Sequence, residues 1–337
     1  MNKSRFVTDA VATIRQNITR DVDPNIPAAL QARMDAGESV FLERQLEAVE
    51  SRLYEKKLRE LKYRALIPIS NRDGPGAQTI TYYLYTKVGL AKVIANPSDD
   101  LPRSDVYASR HTQAVHVIGT SFGYSTQDLR RAMFASVPLE MQKVDSARRA
   151  VREKENGITW NGDASHAIIG LLGNANITNT QAPLNAGATS RLWSAKTADE
   201  IIADVLLMVT TIRTLTKGVH QANTLLLPIT QYNKAAGTPR STFSDTTILK
   251  FIMAENNVYG LNMVDWLPGE LDASGTGASA QAFAYERDPE VLELRIPLEM
   301  VTHPPQFRNL EFVVPVEAEN GGVVVRYPIA CMKLYGI

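Results

Sequence analysis

Residues 138–179 read PLEMQKVDSARRAVREKENGITWNGDASHAIIGLLGNANITN, and one predicted helix in this stretch organises the rest of the chain. Pro138 stands where a first helical residue tolerates proline, no breaker follows up to Asn156, and Gly157 predicts the end of the helix. Its last turns are charged on nearly every side, so we expect the helix to be solvated or to lie against a partner. The charged residues are Arg148, Arg149, Arg152, Glu153, Lys154 and Glu155. Beyond it, Trp160 and an apolar run punctuated by glycines indicate a change of direction into a compact region.

The residues before this helix lack a core of their own. Residues 1–37 are typical of an extended arm, and Glu38–Lys62 repeats apolar side chains at helical spacing, which predicts a long amphipathic helix. Two stretches rich in β-branched and aromatic residues then flank a polar tip, and we interpret Gln78–Ser125 as a long projecting β-hairpin. Its tyrosines have no second apolar element nearby in sequence, so we expect neighbouring molecules to bury them. Ser125 is predicted to cap a helix that continues to Ala135.

The second half of the chain alternates helix and strand signals. Thr197–Glu200 forms a capping box ahead of a strongly apolar helix, and Asn223–Pro228 is typical of a buried strand. Further helices are predicted at 230–236 and from Ser244 or Asp245 onward, and further strands at 261–267, 280–286 and 291–297. This rhythm favours a sheet with helices packed on it. Between the last two apolar runs, Asn320 followed by Gly321 is a strong hairpin signal.

The charge balance and the cysteine count exclude several classes of protein. The chain has 337 residues with 36 Lys plus Arg against 36 Asp plus Glu, so no global field draws it to nucleic acid or anionic lipid. Its single cysteine, Cys331, excludes an internal disulfide framework and lies in an apolar pattern typical of a buried, inert thiol. The N-terminus has no apolar signal-peptide core, and no run approaches the ~18 apolar residues of a membrane span, so we expect folding in a cytoplasm.

The residue types that usually carry chemistry are scattered. The five histidines show no metal-ligand spacing; they are His111, His116, His166, His220 and His303. The glycine-rich segment Gly275–Ser279 lacks the lysine of a phosphate-binding loop. Two carboxylate pairs, Asp99 with Asp100 and Glu153 with Glu155, fall on a predicted loop tip and a charged helix end, which favours solvated or partner-facing roles over acid–base catalysis. We therefore predict no catalytic residue, no cofactor and no metal site.

The order of these elements resembles that of a known family. An arm, an amphipathic helix, a projecting hairpin, a long charged helix, a compact αβ region and a closing pair of strands follow one another as in major capsid proteins of tailed phages with the Hong Kong 97-type fold. Two segments carry the sharpest resemblance, ARRAVREKENGITWNGDASHAIIGLLGNANI and FVVPVEAENGGVVVRYPIACMKLYGI. The resemblance implies an α+β fold with an N-arm, an E-loop hairpin, a long spine helix, a P-domain and an A-domain.

The resemblance also implies boundaries along the chain. They are 1–37 for the N-terminal arm, 38–75 for the amphipathic helix leading into the P-domain, 76–122 for the E-loop, 123–179 for the spine helix and P-domain, 180–300 for the A-domain, and 301–337 for the C-terminal P-domain strands.

The implied function is structural. The chain would self-assemble, as hexamers and pentamers, into an icosahedral shell that encloses the double-stranded DNA genome of a phage, and would not be an enzyme. It would be assembled in the host cytoplasm and end in the virion, with portal and scaffold or decoration proteins as partners, non-specific contact to packaged DNA, and no membrane contact. An encapsulin-type cellular compartment is the first alternative, and a soluble α/β enzyme is the second.

Exposure arguments nominate contact residues between subunits. An anion site at the three arginines of the helix is conceivable, but the glutamates beside them favour ion pairs with a neighbour. The candidate interface residues are Tyr83, Lys87, Lys92, Asp99, Arg103, Arg148, Arg149, Arg152 and Glu153.

Overall fold

The computed structural model describes residues 56–92, 103–135, 139–241, 243, 245–254, 260–272 and 280–337. The chain divides into two units, Met1–Leu58 and Arg59–Ile337, and every described helix and strand belongs to the second unit. The predicted arm and the predicted amphipathic helix up to residue 55 lie outside the described residues, as does Asp99.

Residues 56–62, predicted as the end of the amphipathic helix, are not helical. Two of their cations contact distant parts of the chain instead. Lys62 Nζ lies 2.6 Å from the Asp265 carboxylate, and Arg59 donates to the carbonyl of Pro268 at 3.1 Å. The helix prediction is wrong here because long-range contacts outweigh local propensity, which is a weak prior.

Six α-helices and sixteen strands make up the described part of the chain. The helices are α1 (Tyr63–Leu66), α2 (Thr126–Ala135), α3 (Leu139–Trp160), α4 (Ala198–Leu215), α5 (Ile229–Gly237) and α6 (Ile248–Ala254). The strands are β1 (Ile69–Ser70), β2 (Thr79–Val88), β3 (Asp105–Ala114), β4 (His116–Ser125), β5 (Gly162–Asp163), β6 (Ile168–Ile169), β7 (Thr178–Gln181), β8 (Thr224–Leu227), β9 (Met263–Trp266), β10 (Gln281–Tyr285), β11 (Leu292–Arg295), β12 (Leu298–Thr302), β13 (Gln306–Arg308), β14 (Glu311–Asn320), β15 (Gly322–Val325) and β16 (Cys331–Tyr335).

Both predicted helix caps are confirmed. The Ser125 hydroxyl accepts a hydrogen bond from the backbone N–H of Asp128 at 3.0 Å, and α2 begins at the next residue after Ser125. At the start of α4, the Thr197 and Glu200 side chains satisfy each other's backbone N–H groups in a capping box.

A five-stranded sheet lies at the centre of the core. Its order is β7-β16-β10-β8-β9, with parallel outer pairs and antiparallel inner pairs. Both faces are covered, which is why Thr224–Leu227 is buried at every position and carries three consecutive leucines. Leu225 and Leu227 pack in one apolar cluster with α4, whereas Leu226 packs in a second cluster with Trp160. Helix α3, whose last residue is Trp160, therefore ends inside the core.

A second sheet supports the middle of α3. Strand β14 pairs with β4 along one edge and with β12 and β13 along the other. Ala147 and Val151 of α3 pack against Val316 and Ala318 of β14. A separate three-stranded sheet, β1-β11-β15, completes the second apolar cluster.

The projecting hairpin is shorter than predicted. Strands β2 and β3 pair from Thr79 with Ala114 to Val88 with Asp105, whereas His116–Ser125 leaves them and pairs along β14. One hairpin over Gln78–Ser125 is therefore wrong for β4. The reason is that alternate side chains of β4 are partly buried and α3 packs on the strand, which gives β4 an apolar partner within the chain.

The Asn320-Gly321 hairpin prediction is also wrong. Strand β15 pairs with β11 rather than with β14, because β4 and the β12–β13 edge already occupy both sides of β14. The Asn320 side chain accepts the N–H of Gly322 at 2.7 Å, and Gly322 has φ +73°. Asn320–Gly322 does form a turn, as the sequence indicated, but this turn takes the chain from one sheet to another.

Helix α3 continues past its predicted end. Gly157 lies inside the helix, where its carbonyl accepts the N–H of Asn161 at 2.9 Å, and the Trp160 indole donates to Asn156 at 3.1 Å. The reversal comes at Gly162, which has φ +78°. Burial of the last turn holds the helix through a glycine that would weaken it in water.

Candidate subunit-interface surfaces

The ribbon formed by β2 and β3 presents an exposed face that we call the tyrosine face, made by Tyr83, Tyr85, Lys87, Val106 and Arg110. Residues opposite each other share a face, so Tyr83 lies beside Arg110 and Lys87 beside Val106. Tyr85 is 69% exposed and Tyr83 55%, which leaves much aromatic surface in water. Among the described strands, the ribbon pairs with none besides itself. Since an isolated two-stranded ribbon is marginally stable, a partner surface would stabilise it.

The opposite face of the ribbon is anchored at its root. Tyr82 stacks on His111 with ring centres 5.2 Å apart, and the Arg326 guanidinium lies 5.7 Å from the Tyr82 ring centre. Burial raises the pKa of Tyr82. Arg326 also contacts the buried Glu293, which accepts a second contact from Arg295 at 2.5 Å. Arg326 thus connects the base of the ribbon to the three-stranded sheet.

Two of the predicted helix residues are engaged within their own chain. Arg149 Nε donates to Glu153 at 2.8 Å, and Arg149 Nη2 donates to the carbonyl of Arg59 at 2.6 Å. An exposed pair spaced i,i+4 on a helix contributes only about 0.3–0.5 kcal/mol. Arg149 therefore holds the segment before α1 against α3.

Glu155, which the sequence placed in a solvated or partner-facing role, is buried with 1% of its surface exposed. It accepts hydrogen bonds from the Tyr63 hydroxyl and, at 3.1 Å, from Arg64 Nη2. Burial and the adjacent Glu155 carboxylate raise the pKa of Tyr63. The prediction is wrong for Glu155 because α1 supplies its partners from within the chain.

The outer side of α3 borders a cavity of about 210 Å³ that we call the arginine pocket, after Arg64, Arg148 and Arg152. Its remaining lining residues are Val151, Glu155, Glu299, Met300 and Thr302. Arg148 contacts only the exposed Asp145, at 3.2 Å, within the described part of the chain. Arg152 is exposed and has no hydrogen-bond or ion-pair partner among the described residues.

Lys154, at the other side of α3, contacts Asp163 at 2.7 Å. Its hydrogen bond, with those of Ser165 and His166, holds the pKa of the Asp163 carboxyl well below its usual range. These contacts fasten the short β5–β6 turn to the helix end.

The remaining predicted residues lie at the far end of the ribbon. Lys87 is near the end of β2, Lys92 follows that strand, Arg103 precedes β3, and all three are exposed. Asp99 lies between the two strands, outside the described residues. The predicted residues thus fall on two elements, the ribbon and α3.

Sequence reasoning missed several exposed apolar side chains, and four of them lie in two pairs. Met133 and Phe134 of α2 are 72% and 94% exposed, and Phe307 and Leu310 near the β13–β14 turn are 64% and 68% exposed. The signal that could have found them was a Met-Phe pair in the otherwise charged helix RRAMFA and the apolar pair in the turn FRNL. Apolar side chains of this size at a helix surface and a turn are typical of contact surfaces.

The described residues contain neither a cluster of metal ligands nor a helix that could cross a membrane. No three of the His, Cys, Asp or Glu side chains there are grouped so as to hold a metal ion. Over the same residues, no helix has the length and apolar character needed to span a bilayer. Burial raises the pKa of the Cys331 thiol to about 12.

The chain is similar in sequence to one protein family and in structure to several capsid proteins. The family described as Major capsid protein matches residues 89–337. The capsid of Myoviridae phage XM1 has a similar structure, with a TM-score of 0.75, 18% sequence identity, and coverage of 89% of this chain and 100% of that chain. The capsid of a native GTA particle gives a TM-score of 0.59, 10% identity and coverage of 87% and 96%.

Mycobacterium phage Ogopogo gives a TM-score of 0.56, 12% identity and coverage of 87% of this chain and 97% of that chain. A search of curated protein sequences finds no match. At these identities the structural likenesses show the fold.

Proposed function

Because this chain belongs to the major capsid protein family and is a structural protein of capsid shells, we propose that its copies associate as hexamers and pentamers into an icosahedral shell around the double-stranded DNA of a phage. The α+β, Hong Kong 97-type fold is confirmed by the likeness to phage capsids. The observation that carries the proposal of self-association is the tyrosine face, which stays exposed on a ribbon without a further strand partner in the described chain.

The division of the chain remains a proposal, with support from the elements. The ribbon β2–β3 lies inside the proposed E-loop, 76–122, and α3 is the proposed spine helix. Helices α4–α6 lie inside the proposed A-domain, 180–300. Strand β16 is hydrogen-bonded into the same sheet as β8 and β10, so the last strand ties the proposed P-domain segment to the A-domain sheet.

We also propose contacts with molecules other than further copies of the chain. A net charge of zero suits a coat that contacts packaged DNA non-specifically without clamping it. Portal and scaffold or decoration proteins would be further partners, and assembly would take place in the host cytoplasm before the protein enters the virion. We assign no catalytic role, and no observation favours an encapsulin-type compartment over a phage capsid.

Electron microscopy of the purified full chain tests the proposal. We expect hollow shells tens of nanometres across, either from the protein alone or with a co-expressed scaffold protein. A chain that stays monomeric or dimeric under both conditions would contradict self-assembly. Purified shells that carry a ferritin-like or peroxidase cargo in place of DNA would support the compartment instead.

A further inference from the structure

Strand β4 has an open edge. It pairs with β14 along one side, and no other described strand pairs with it. Just past β4, the N–H of Thr126 donates to the carbonyl of Leu310, which continues the ladder to β14. The Pro315 carbonyl accepts from His303 on the other side of β14, so Ser121, which lies opposite Pro315, is not bonded there. Because bonding alternates along an antiparallel pair, the odd-numbered residues of β4 direct their N–H and C=O groups away from β14.

Two contacts close the ends of this open edge and leave its middle free. At the base of the ribbon, the N–H of Val115 donates to the carbonyl of Gln78 at 2.9 Å, and further along Lys143 Nζ donates to the carbonyl of Gly123. Between these contacts, three exposed residues of β4 direct their N–H and C=O groups to the open side and have no backbone partner there among the described residues. They are Val117, Gly119 and Ser121.

This part of β4 lacks the features that usually protect an edge strand. Proteins commonly place a lysine, a proline or a bulge at such an edge. Residues 117–121, VIGTS, contain no charge and no proline, and their pairing with β14 shows no shift of register. At Gly119 even an added Cβ would have its nearest neighbour 4.0 Å away. An open edge of this kind is a template for an added strand.

A groove of about 380 Å³ lies against the same residues. It is lined by β4 from His116 to Thr120, by α3 and by the β5–β6 turn. Val151 and Ile158 of α3 and Ile168 of β6 are buried and give the groove an apolar floor. Since successive side chains of a strand point to opposite faces, a strand paired with β4 would direct every second side chain into this groove.

The rim of the groove offers donors to an acidic side chain. Asp163 is the only carboxylate among the lining residues, and it already accepts from Lys154, Ser165 and His166. Lys154 has three N–H donors, of which the described contacts use one. The His116 ring lies 5.9 Å from the His166 ring and has no hydrogen bond among the described residues. A carboxylate is therefore the charged group that the rim favours.

The same charges disfavour the ribbon of a second copy as the added strand. Strands β2 and β3 carry Lys87 and Arg110 against the single carboxylate Asp105, so the described ribbon is basic, as the rim of the groove is. Like charges brought together across an interface oppose binding. The groove thus fits a strand of a different, acidic composition.

We propose that the edge of β4 from Val117 to Ser121 binds an extended segment of another protein as an added strand. An apolar side chain of that segment would lie over Val151 and Ile158, and a carboxylate two residues away would contact Lys154. Backbone hydrogen bonds would provide most of the affinity, and the groove would provide the specificity. The inference rests on the proposed function for its setting, because the partner would be an auxiliary protein of the shell.

A peptide probe tests the pairing on the full chain before assembly. The probe is a fluorescently labelled peptide, Thr-Leu-Thr-Leu-Thr-Asp-Thr, whose leucines and aspartate share one face of a strand. We expect saturable binding in anisotropy titrations, with a Kd below about 1 mM. N-methylation of one set of alternate amides should weaken binding at least about tenfold and methylation of the other set should not, because only one edge of the peptide would face β4. Absence of binding, or equal effects of the two sets, would overturn the proposal.

Variants of the strand edge locate the probe. Gly119→Pro removes an N–H from the open side and should weaken binding about tenfold. The matched control Gly119→Ala keeps that N–H and adds a methyl group in open space, so its affinity should stay within about twofold of the original. Unfolding midpoints show whether both variants fold, and the methylated peptides decide the question if the proline variant does not. Unchanged binding by a folded Gly119→Pro would place the probe elsewhere and overturn the proposal.

The charge of the partner is tested separately. A probe with asparagine in place of aspartate should bind the unchanged chain roughly fivefold more weakly, because it lacks the ion pair with Lys154. Lys154→Gln should remove most of that difference between the two probes. Equal binding of the two probes to the unchanged chain would contradict an acidic partner.

Assembled shells separate the proposed partner from other occupants. Shells of the chain alone should bind the probe with an affinity within about threefold of that of unassembled subunits. Loss of binding on assembly would assign the edge to a second copy. Slow hydrogen exchange at the amides of Val117, Gly119 and Ser121 in unassembled subunits would assign it to the chain's own residues. Either result would overturn the proposal, whereas failure of shells to form would count against the proposed function alone, because the peptide titrations use unassembled subunits.

Discussion

Glu155 shows how strongly a single side chain depends on tertiary context. In the run REKE it is one charge among four, yet it alone of these is buried, because Tyr63 and Arg64 of α1 reach it. A buried carboxylate is tolerated only when its oxygens are hydrogen-bonded, and here both donors come from about 90 residues earlier in the chain. A carboxylate that the sequence assigned to solvent or to a partner instead joins α1 to α3.

Replacing Glu155 should therefore destabilise the subunit more than replacing its exposed neighbour. Glu155→Ala leaves the Tyr63 hydroxyl without an acceptor for its proton, although Arg64 Nε still donates to it, and creates a small cavity, so we expect the free energy of unfolding to fall by about 3 kcal/mol. The matched control, Glu153→Ala, removes only an exposed i,i+4 pair and should cost less than about 0.5 kcal/mol. Urea denaturation of unassembled subunits measures both, and equal losses would contradict the burial of Glu155.

Cys331 should behave as an inert thiol until the protein unfolds. Its pKa is raised to about 12 by burial, so at pH 8 the thiolate fraction is about 1 in 10,000 and the sulfur is inaccessible. We expect no reaction with an aromatic disulfide reagent in the folded state and one thiol per chain in denaturant. Labelling of the native protein at the denatured rate would disprove this.

The raised pKa of Cys331 also affects stability at high pH. The folded state keeps the thiol proton up to about pH 12, whereas the unfolded state loses it near the ordinary value of 9.0. The unfolded chain therefore binds fewer protons in that window, and this group's contribution to stability is lost as the pH rises through it.

At the scale of elements, one glycine within α3 and one in the turn after it occupy different environments. Helix propensity governs the first, and close tertiary packing governs the second. Gly157 lies within the helix, and a Cβ there would meet nothing within 4 Å. At Gly162 a Cβ would come within 2.3 Å of the Ile168 carbonyl oxygen and 2.4 Å of the Gly170 nitrogen, and φ is +78°. At Gly157 a side chain would therefore change only the helix propensity. At Gly162 the surrounding backbone leaves no room for a side chain.

These glycines should respond in opposite directions to the same substitution. Gly157→Ala should raise the free energy of unfolding by roughly 0.5–1 kcal/mol, the helix propensity difference. Gly162→Ala should lower it by more than about 2 kcal/mol, because backbone atoms of β6 must move. Thermal and urea unfolding measure both changes. If Gly157→Ala were destabilising, the helix would end where the sequence pattern first suggested.

The elements also show which parts of the fold the sequence could predict. Helix α4, its capping box and the buried strand β8 follow from local patterns, and these predictions are confirmed. Two of the failures concern pairing: β4 and β15 were assigned to hairpins with the strands next to them in sequence, but each joins a strand more than 25 residues away. A turn signal specifies a change of direction and contains no information about which strand edge is free.

At the scale of the whole molecule, two elements that contribute little to the described core, the ribbon and α2, carry large exposed apolar side chains. One face of the central sheet packs on α4–α6 and the other on α1, the end of α3 and the three-stranded sheet, whereas the ribbon and α2 leave aromatic and apolar side chains in water. The sequence identified Tyr83 and the arginines of α3 as exposed, because charge and period suffice for that. The sequence could not predict which of these arginines bonds within its own chain. The internal hydrogen bonds of Arg149 and the unpaired donors of Arg152 depend on where residues 59–64 lie.

Substituting the exposed tyrosines of the ribbon should impair shell assembly without changing the stability of the unassembled subunit. Tyr83 and Tyr85 lie on the exposed face, so Tyr83→Ser with Tyr85→Ser should leave the free energy of unfolding of the unassembled subunit within about 0.5 kcal/mol of its original value. If that face packs on a neighbour, shell formation should require at least roughly tenfold more protein, since each buried aromatic contributes several tenths to a few kcal/mol. Tyr82→Ser is the matched control, because Tyr82 stacks on His111 at the root and its loss should lower subunit stability first. Light scattering against protein concentration measures assembly, and denaturation measures stability. Assembly of the double variant at the original concentration would mean that the tyrosine face remains in solvent in the shell.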